Sequence, residues 1–360
     1  MNASAAVTEC PPRHLDIAAT PAAGDTEQLL PTPEELRYRL PLPAALHERI
    51  SAQRRAVQDI VAGRDDRLLV VVGPCSIHDP VSALEYARRL AGLAPHLSDR
   101  LLPVMRVYVE KPRTTVGWKG LAYDPDLDGS GNMARGLHLA RQTMLEVAAL
   151  GLPVATEILQ PMLASYLDDL LSWVAIGART TESQLHRELA SGLETAVGFK
   201  NATSGAVGVA VDALRAAAHP HQHFAQDAQG RLVLRQTAGN EYGHVVLRGG
   251  HQGPNHDSRS VAEARRALEQ AGLSPRLMVD CSHANARKEH RRQIDVLRDV
   301  VAQRAAGETG VMGLMLESHL SEGCQALVPG ELRYGVSITD PCLGWRETRE
   351  LLLEAAATLR

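Results

Sequence analysis

From Arg67 onward the chain repeats one theme, a short apolar run followed by a stretch with helical spacing. The runs fall at 68–72, 102–109, 153–157, 173–176, 196–200, 244–248, 277–283 and 311–317. Their apolar character is continuous rather than alternating, as expected of parallel strands buried on both faces. Helical stretches such as 83–93, 133–150, 166–171, 261–271 and 288–303 separate most of them. Eight such units predict a (β/α)8 TIM barrel, with a doubly wound open sheet as the alternative.

The flanking sequence divides the rest. Residues 1–30 carry Pro11, Pro12 and Pro21 and few large apolar side chains, which predicts a flexible tail. Residues 31–66 read as a helical N-terminal extension: Thr32-Pro-Glu-Glu is a capped start, Pro41 ends that helix at or before Leu40, and Pro43 opens a second helix over 43–62. Residues 67–360 form the barrel, interrupted at about 219–243 by a β-hairpin inserted before the sixth barrel strand. Its His219, His221 and His223 suggest imidazoles on one strand face, more in keeping with surface histidines than with a metal site lacking carboxylates.

Composition narrows the function. With 44% hydrophobic and 22% charged residues over 360 positions the chain can bury a barrel-sized core. A formal net charge of −4 leaves no basic excess for nucleic acid. No apolar run approaches the roughly 20 residues that span a bilayer, and five scattered cysteines are poor material for a disulfide framework. No nucleic acid, no membrane and a cytoplasmic location are therefore expected.

Each apolar run closes on a polar group: Cys75, Arg106 with Lys111, Glu157, Arg179, Lys200, Arg248, His283 and Glu317. A barrel gathers such positions at one rim, where active sites form. Cys75 in Gly-Pro-Cys-Ser-Ile-His-Asp, His283 in Cys-Ser-His-Ala-Asn, Glu317 in Leu-Glu-Ser-His and Asp340 in Ile-Thr-Asp offer one soft and three harder donors, a set suited to a divalent transition metal. Cys281 is a rival ligand, since strand alternation puts it on the side of His283. Arg106, Lys111, Arg113, Lys119, Arg179, Lys200 and Arg248 suit a substrate bearing carboxylate and phosphate. Gly249-Gly250 would let backbone amides approach a phosphate.

Lys111-Pro-Arg-Thr-Thr-Val-Gly-Trp-Lys-Gly, Gly73-Pro-Cys-Ser-Ile-His-Asp-Pro, Ile176-Gly-Ala-Arg-Thr-Thr-Glu-Ser, Val197-Gly-Phe-Lys-Asn, Leu247-Arg-Gly-Gly and Val279-Asp-Cys-Ser-His-Ala-Asn resemble, in order, the class I 3-deoxy-D-arabino-heptulosonate 7-phosphate (DAHP) synthases, the feedback-regulated bacterial type. The resemblance runs from about residue 35 to 355. It implies a barrel enzyme, a transferase, that condenses phosphoenolpyruvate with erythrose 4-phosphate in the first step of the shikimate pathway. It implies one divalent metal ion, Mn2+, Fe2+ or Co2+, on Cys75, His283, Glu317 and Asp340. It places phosphoenolpyruvate against Arg106, Lys111, Arg179, Lys200 and Arg248, with Glu157 and the Gly177-Ala178 backbone nearby, and the sugar phosphate against Pro112, Arg113 and Thr114. Lys111, His283 and Cys75 are the catalytic candidates, and a homodimer or homotetramer is expected.

Lys111, crowded by Arg106 and Arg113, is expected to have a lowered pKa and to protonate the aldehyde oxygen. Effector control is less clear-cut: Gln160-Pro-Met-Leu-Ala-Ser, Glu194 and the polar 219–227 stretch predict weak or absent inhibition by phenylalanine, with tyrosine or tryptophan control open. Alternatives are a DAHP-type synthase using an amino analogue of erythrose 4-phosphate, a Schiff-base aldolase built on Lys200, and a non-catalytic metabolite sensor.

Overall fold

The computed structural model describes residues 27–113 and 116–359. Eight strands form a closed, all-parallel barrel: β1 (Leu68–Gly73), β2 (Leu101–Arg106), β3 (Val154–Glu157), β4 (Trp173–Ile176), β5 (Ala196–Lys200), β8 (Gly243–Leu247), β9 (Leu277–Asp280) and β10 (Val311–Glu317), with β10 closing on β1. The open-sheet alternative is thereby excluded. Side chains alternate between two apolar layers, as strand geometry requires. Leu68, Val70 and Val72 pack outward beneath the helices. Leu69 and Val71 point inward, with Val104, Trp173, Val246, Met278 and Met315. The indole of Trp173 fits inside because position 198 is glycine; a Cβ there would stand 2.4 Å from the ring.

Two helices precede the barrel, α1 (Pro33–Arg39) and α2 (Ala44–Ala62). Thr32 and Glu35 form the reciprocal capping box that starts α1. Val57, Ile60 and Val61 of α2 join the inward layer, so this helix closes the end of the barrel where the strands begin. Arg54 donates to the Leu171 and Asp168 carbonyls and Arg37 to Asp168, which fastens the extension to the β3–β4 connection.

That connection differs from the helix expected over 166–171. It is a short α5 (Ala164–Leu167) between two 3-10 turns, Pro161–Leu163 and Asp168–Leu170. Its carbonyls at Ser165, Asp168 and Leu171 accept from Arg37 and Arg54 instead of continuing a helical ladder. The other helices are α3 (Pro80–Leu93), α4 (Met133–Ala149), α6 (Gln184–Ser191), α7 (Gly208–Ala217), α8 (Ser258–Gln270), α9 (Arg292–Ala305) and α10 (Trp345–Thr358). Helix α9 begins four residues later than its periodicity suggests because Arg287 and Lys288 take positive φ, 52° and 61°, which no right-handed helix accommodates.

The inserted hairpin is β6 (Gln222–Gln226) paired antiparallel with β7 (Leu232–Gln236), turned by Asp227, whose Oδ1 accepts from the Gln229 and Arg231 amides. His219 and His221 precede β6, so the three imidazoles do not share a strand face. Nδ1 of His219 donates to the Arg215 carbonyl and Nε2 of His221 to that of Ala216, satisfying carbonyls at the end of α7.

Candidate active site

Because all eight barrel strands are parallel, their C-terminal residues share one rim. Glycine at 73 allows the first close approach there: at φ 152°, a Cβ would stand 3.0 Å from the Arg106 carbonyl oxygen. Asp79 then caps α3, accepting from the Val81 and Ser82 amides, so Gly-Pro-Cys-Ser-Ile-His-Asp is a strand end, a turn and a helix cap in sequence. Cys75 is held between them, fully buried.

The Cys75 Sγ lies 3.4 Å from Asp340 Oδ2, and Lys111 Nζ donates to both, at 2.9 Å and 2.6 Å. Glu317 accepts from Arg106 Nη2 at 3.2 Å and from the Ser282 hydroxyl at 2.6 Å. Donor atoms of Cys75, Glu317 and Asp340 all lie within 4.8 Å of one another. His283 stands at the edge of this group, its Nε2 4.0 Å from Glu317 Oε1. Its Nδ1 is 2.8 Å from Asp280 Oδ2, misaligned for a hydrogen bond. Two donors on one first-row ion sit roughly 3–4.5 Å apart, given bonds of about 2.0–2.3 Å. The thiol of Cys75 and the carboxylates of Glu317 and Asp340 therefore suit a divalent ion in donor type and lie close to that spacing, with the His283 imidazole beside Glu317 at their edge.

Charge is tuned by neighbours. Burial, reinforced by Glu317, pushes the Cys75 thiol up to about 12, so it is a neutral thiol without a cation beside it. Lys111 holds Asp340 well below the usual carboxylate range. Burial would raise Glu317, but His283 and Arg106 outweigh it and keep it ionised. For Lys111 the expected lowering is reversed. Burial acts in that direction, yet Asp340, Cys75 and Glu317 raise its pKa well above the ordinary value. The sequence placed Arg106 and Arg113 near it; the fold sets acidic groups closer, and Arg113 instead donates to the Trp118 carbonyl.

Of the cations predicted for an anionic substrate, Arg106, Lys111, Arg179, Lys200 and Arg248 gather at the same rim. Lys200 Nζ is 3.2 Å from Asp280 Oδ2 and 4.0 Å from Glu157 Oε2. Arg106 stacks 3.9 Å over the Tyr108 ring and leaves its buried Nη1 without a partner. Burial and the proximity of Arg179 lower the Arg248 pKa, while Asp280 works against them. The Gly177 backbone runs along Glu157, so close that a Cβ would reach within 2.2 Å of its Oε1. Ala178 follows Gly177 in the turn that leads to Arg179. Pro112 and Arg113 open the segment after Lys111, and Thr114 lies outside the described residues.

Cys281 does not share the side of His283. Positive φ at His283, 53°, breaks the alternation, and Cys281 packs in the outward apolar layer. Sequence reasoning also missed two supporting groups. Asn201, Asn255 and Asn285 link three strand ends: Asn201 Oδ1 accepts from the Arg248 amide, Asn255 Oδ1 from the Gly249 amide, and Asn285 Oδ1 from the Asn255 amide. Glu110 accepts from the Leu159 and Gln160 amides and the Tyr123 hydroxyl, and burial raises it to about 7. An acid directly before Lys111, closing a run of buried residues, was the available signal.

The profile of the DAHP synthetase I family matches residues 46–353. The chain belongs to that family. The Tyr-sensitive phospho-2-dehydro-3-deoxyheptonate aldolase of Salmonella typhimurium is 54% identical over 91% of this chain and 92% of its own length. The Phe-sensitive counterpart from Escherichia coli K12 is 50% identical over 93% of this chain and 96% of its own. The structure of the Francisella tularensis SCHU S4 phospho-2-dehydro-3-deoxyheptonate aldolase superposes with a TM-score of 0.90 at 45% identity, covering 93% of this chain and 99% of that one. DAHP synthases are transferases that join phosphoenolpyruvate to erythrose 4-phosphate in the first step of the shikimate pathway, and this chain is an enzyme of that step. Among the described residues no helix is long and apolar enough to cross a membrane.

The two relatives differ in named sensitivity, tyrosine for one and phenylalanine for the other. Glu194, expected to oppose an apolar pocket, is 85% exposed and paired with Arg54. His219 and His221 are tied to carbonyls.

Proposed function

We propose that this rim carries out the DAHP synthase reaction with a divalent metal, Mn2+, Fe2+ or Co2+, held by Cys75, His283, Glu317 and Asp340. The observation carrying this reading is the convergence of the Cys75, Glu317 and Asp340 donors within 4.8 Å. A bound divalent cation supplies Lewis acidity toward the aldehyde oxygen of erythrose 4-phosphate.

The protein's own residues do the rest. Phosphoenolpyruvate brings a carboxylate and a phosphate to a rim where Arg106 Nη1 is unpartnered and Arg248 is desolvated. With Arg179, Lys200 and Lys111 these groups fix both anions, Arg as a fork and Lys as a point charge. Glu157 and the Gly177-Ala178 backbone bound the same space, while Pro112, Arg113 and Thr114 receive the sugar phosphate. The enol carbon then attacks the aldehyde carbon, water adds at the former enol-phosphate carbon, and cleavage of that carbon's bond to the phosphate oxygen releases inorganic phosphate. Lys111 holds a proton at Nζ beside the site where the aldehyde oxygen gains charge. A cation held by Asp340 would offset the carboxylate charge that holds this proton and would ease its transfer from Lys111. Lys200 is ion-paired with Asp280, which disfavours its use as a Schiff-base amine.

The hairpin supports assembly as a homodimer or homotetramer. Phe224, Leu232 and Leu234 are 80%, 72% and 65% exposed on one face, and a two-stranded sheet gains little stability by itself.

The direct test follows phosphoenolpyruvate loss with erythrose 4-phosphate present, before and after EDTA and with Mn2+, Co2+ or Fe2+ restored. Activity should vanish with chelation and return with metal. Full turnover in EDTA would remove the metal from the mechanism, and borohydride trapping on Lys200 would replace it with imine chemistry.

A further inference from the structure

Two of the rim cations are held by carboxylates, Arg106 by Glu317 and Lys200 by Asp280. Arg248 is held through its backbone instead. It stands one residue beyond β8, where both neighbouring ladders have ended: the last pair with β5 is Lys200 with Val246, and the last with β9 is Leu247 with Val279. Its guanidinium donates from Nη1 to the Gly249 carbonyl at 3.4 Å, a weak hold for a long side chain. Where Arg248 points is therefore set by the peptide groups around it.

Three asparagine side chains take over where the ladders stop. From the β5 side, Asn201 Oδ1 accepts from the Arg248 amide at 2.8 Å, and Asn201 Nδ2 donates to the Gly249 carbonyl at 3.0 Å. From the β9 side, Asn285 Nδ2 donates to the Leu247 carbonyl at 3.1 Å and to the Asp280 carbonyl at 2.8 Å. Asn255 joins the two. Its Oδ1 accepts from the Gly249 amide at 2.7 Å, its Nδ2 donates to Asn201 Oδ1 at 3.3 Å, and its own amide donates to Asn285 Oδ1 at 2.7 Å. Asn201 Nδ2 also donates to the Ala202 carbonyl, so both protons and both lone pairs of that side-chain amide are used.

Gly249 completes the arrangement. At φ 73°, a Cβ there would stand 2.8 Å from the Ala284 carbonyl carbon and the Asn285 nitrogen, so the chain after Arg248 presses against the β9–α9 loop. Solvent at a barrel mouth could satisfy stray peptide groups. A closed network in which Asn201 and Asn285 are buried fixes their positions as well.

We propose that Asn201, Asn255 and Asn285 are positioning residues for phosphoenolpyruvate, setting the 247–249 backbone so that the Arg248 fork meets one of the substrate's anions. This rests on the reading that Arg248 binds phosphoenolpyruvate. The three asparagines act through the guanidinium, and an error of about 1 Å in such a clamp is enough to cost affinity and rate.

The test measures phosphoenolpyruvate affinity by titration calorimetry of the full-length protein with Mn2+ present, and KM for both substrates, in Asn255→Ala, Arg248→Ala and the double variant. Asn255 is chosen as the least buried of the three. Arg248→Ala should weaken phosphoenolpyruvate binding about a hundredfold and Asn255→Ala about tenfold, with KM for erythrose 4-phosphate kept within about twofold. Once Arg248 is gone, removing Asn255 should cost less than about twofold more. A role in stability alone would lower Tm without this dependence on Arg248. Unchanged phosphoenolpyruvate affinity in a folded Asn255→Ala protein, an equal loss for both substrates, or an undiminished tenfold loss on top of Arg248→Ala overturns the proposal. Should Asn255→Ala not fold, Asn285→Ser is held to the same three criteria. Unchanged phosphoenolpyruvate affinity in Arg248→Ala would overturn the reading of Arg248 itself, and the proposal with it.

Discussion

At the rim, Arg106, Lys200, Asp280 and Glu317 are at most 3% exposed although all carry charge; on the hairpin, Phe224, Leu232 and Leu234 are at least 65% exposed although none does. Both regions invert the ordinary rule of burial. The rim tolerates it because the charges answer one another: Lys200 with Asp280, Arg106 with Glu317, Lys111 with Asp340. A barrel strand end can bear this cost where loops cannot, since the sheet beneath holds each group rigidly. The hairpin has no such internal answer. Its three apolar side chains face away from the barrel, and covering them requires another surface. One inversion is answered within the chain by paired charges; the other has no answer among the described residues.

The largest effect should come from Glu317→Gln, which keeps the shape but removes the charge that Arg106 and Ser282 both address. Turnover is expected to fall about a thousandfold, equivalent to roughly 4 kcal/mol of transition-state stabilisation. Steady-state kinetics within tenfold of the parent protein would show that Glu317 is not among the metal donors.

Lys200→Met probes the stability side of the same inversion. It leaves Asp280, fully buried, with His283 and Arg106 as its remaining compensation. Breaking a buried pair costs about 3 kcal/mol. Urea unfolding should show that loss, and Asp280→Asn in the same chain should recover part of it. An unchanged midpoint would mean that the rim charges do not hold one another in place.

Glu110→Gln tests a buried acid with no cation against it. Glu110 titrates at about 7 in the fold against 4.5 in a free chain, because burial outweighs the Leu159, Gln160 and Tyr123 hydrogen bonds, with Glu157 adding to the rise. Between those pH values the folded chain keeps a proton that the unfolded chain has released. Stability therefore falls as pH rises from 4.5 to 7, by about 3 kcal/mol, and is flat for this group above. The difference between parent and variant in unfolding free energy should follow that slope. Parallel pH profiles would show that Glu110 stays ionised.

What the sequence revealed, and what it withheld, follows the same division. Parallel strands buried on both faces leave continuous apolar runs, so all eight could be read, and each polar residue closing a run landed on one rim. The barrel fixed which residues meet without stating how near. Lys111 was misjudged because its neighbours in sequence are Pro112 and Arg113, whereas its neighbours in space are Cys75 and Asp340. Positive φ at His283 broke the alternation that had paired it with Cys281. The β3–β4 connection is broken into a short α5 and two 3-10 turns whose carbonyls are taken by arginines more than a hundred residues away. Glu194 likewise found Arg54 rather than a pocket. Periodicity reports what the local chain must do, and these outcomes were set by distant partners.

The smallest effect on the folded subunit should come from the hairpin. Phe224 and Leu234 stand directly opposite each other in the β6–β7 register, and Leu232 follows on the same face. Replacing both paired residues by serine removes cross-strand apolar contact worth at most about 1 kcal/mol within one chain. If this face is covered by a second copy, the double variant should shift mass measured by light scattering toward the monomer while turnover per active site is largely kept. The rim and hairpin would then be independent. A parallel loss of activity would mean that association helps to order the rim, and unchanged mass would place the subunit contact elsewhere.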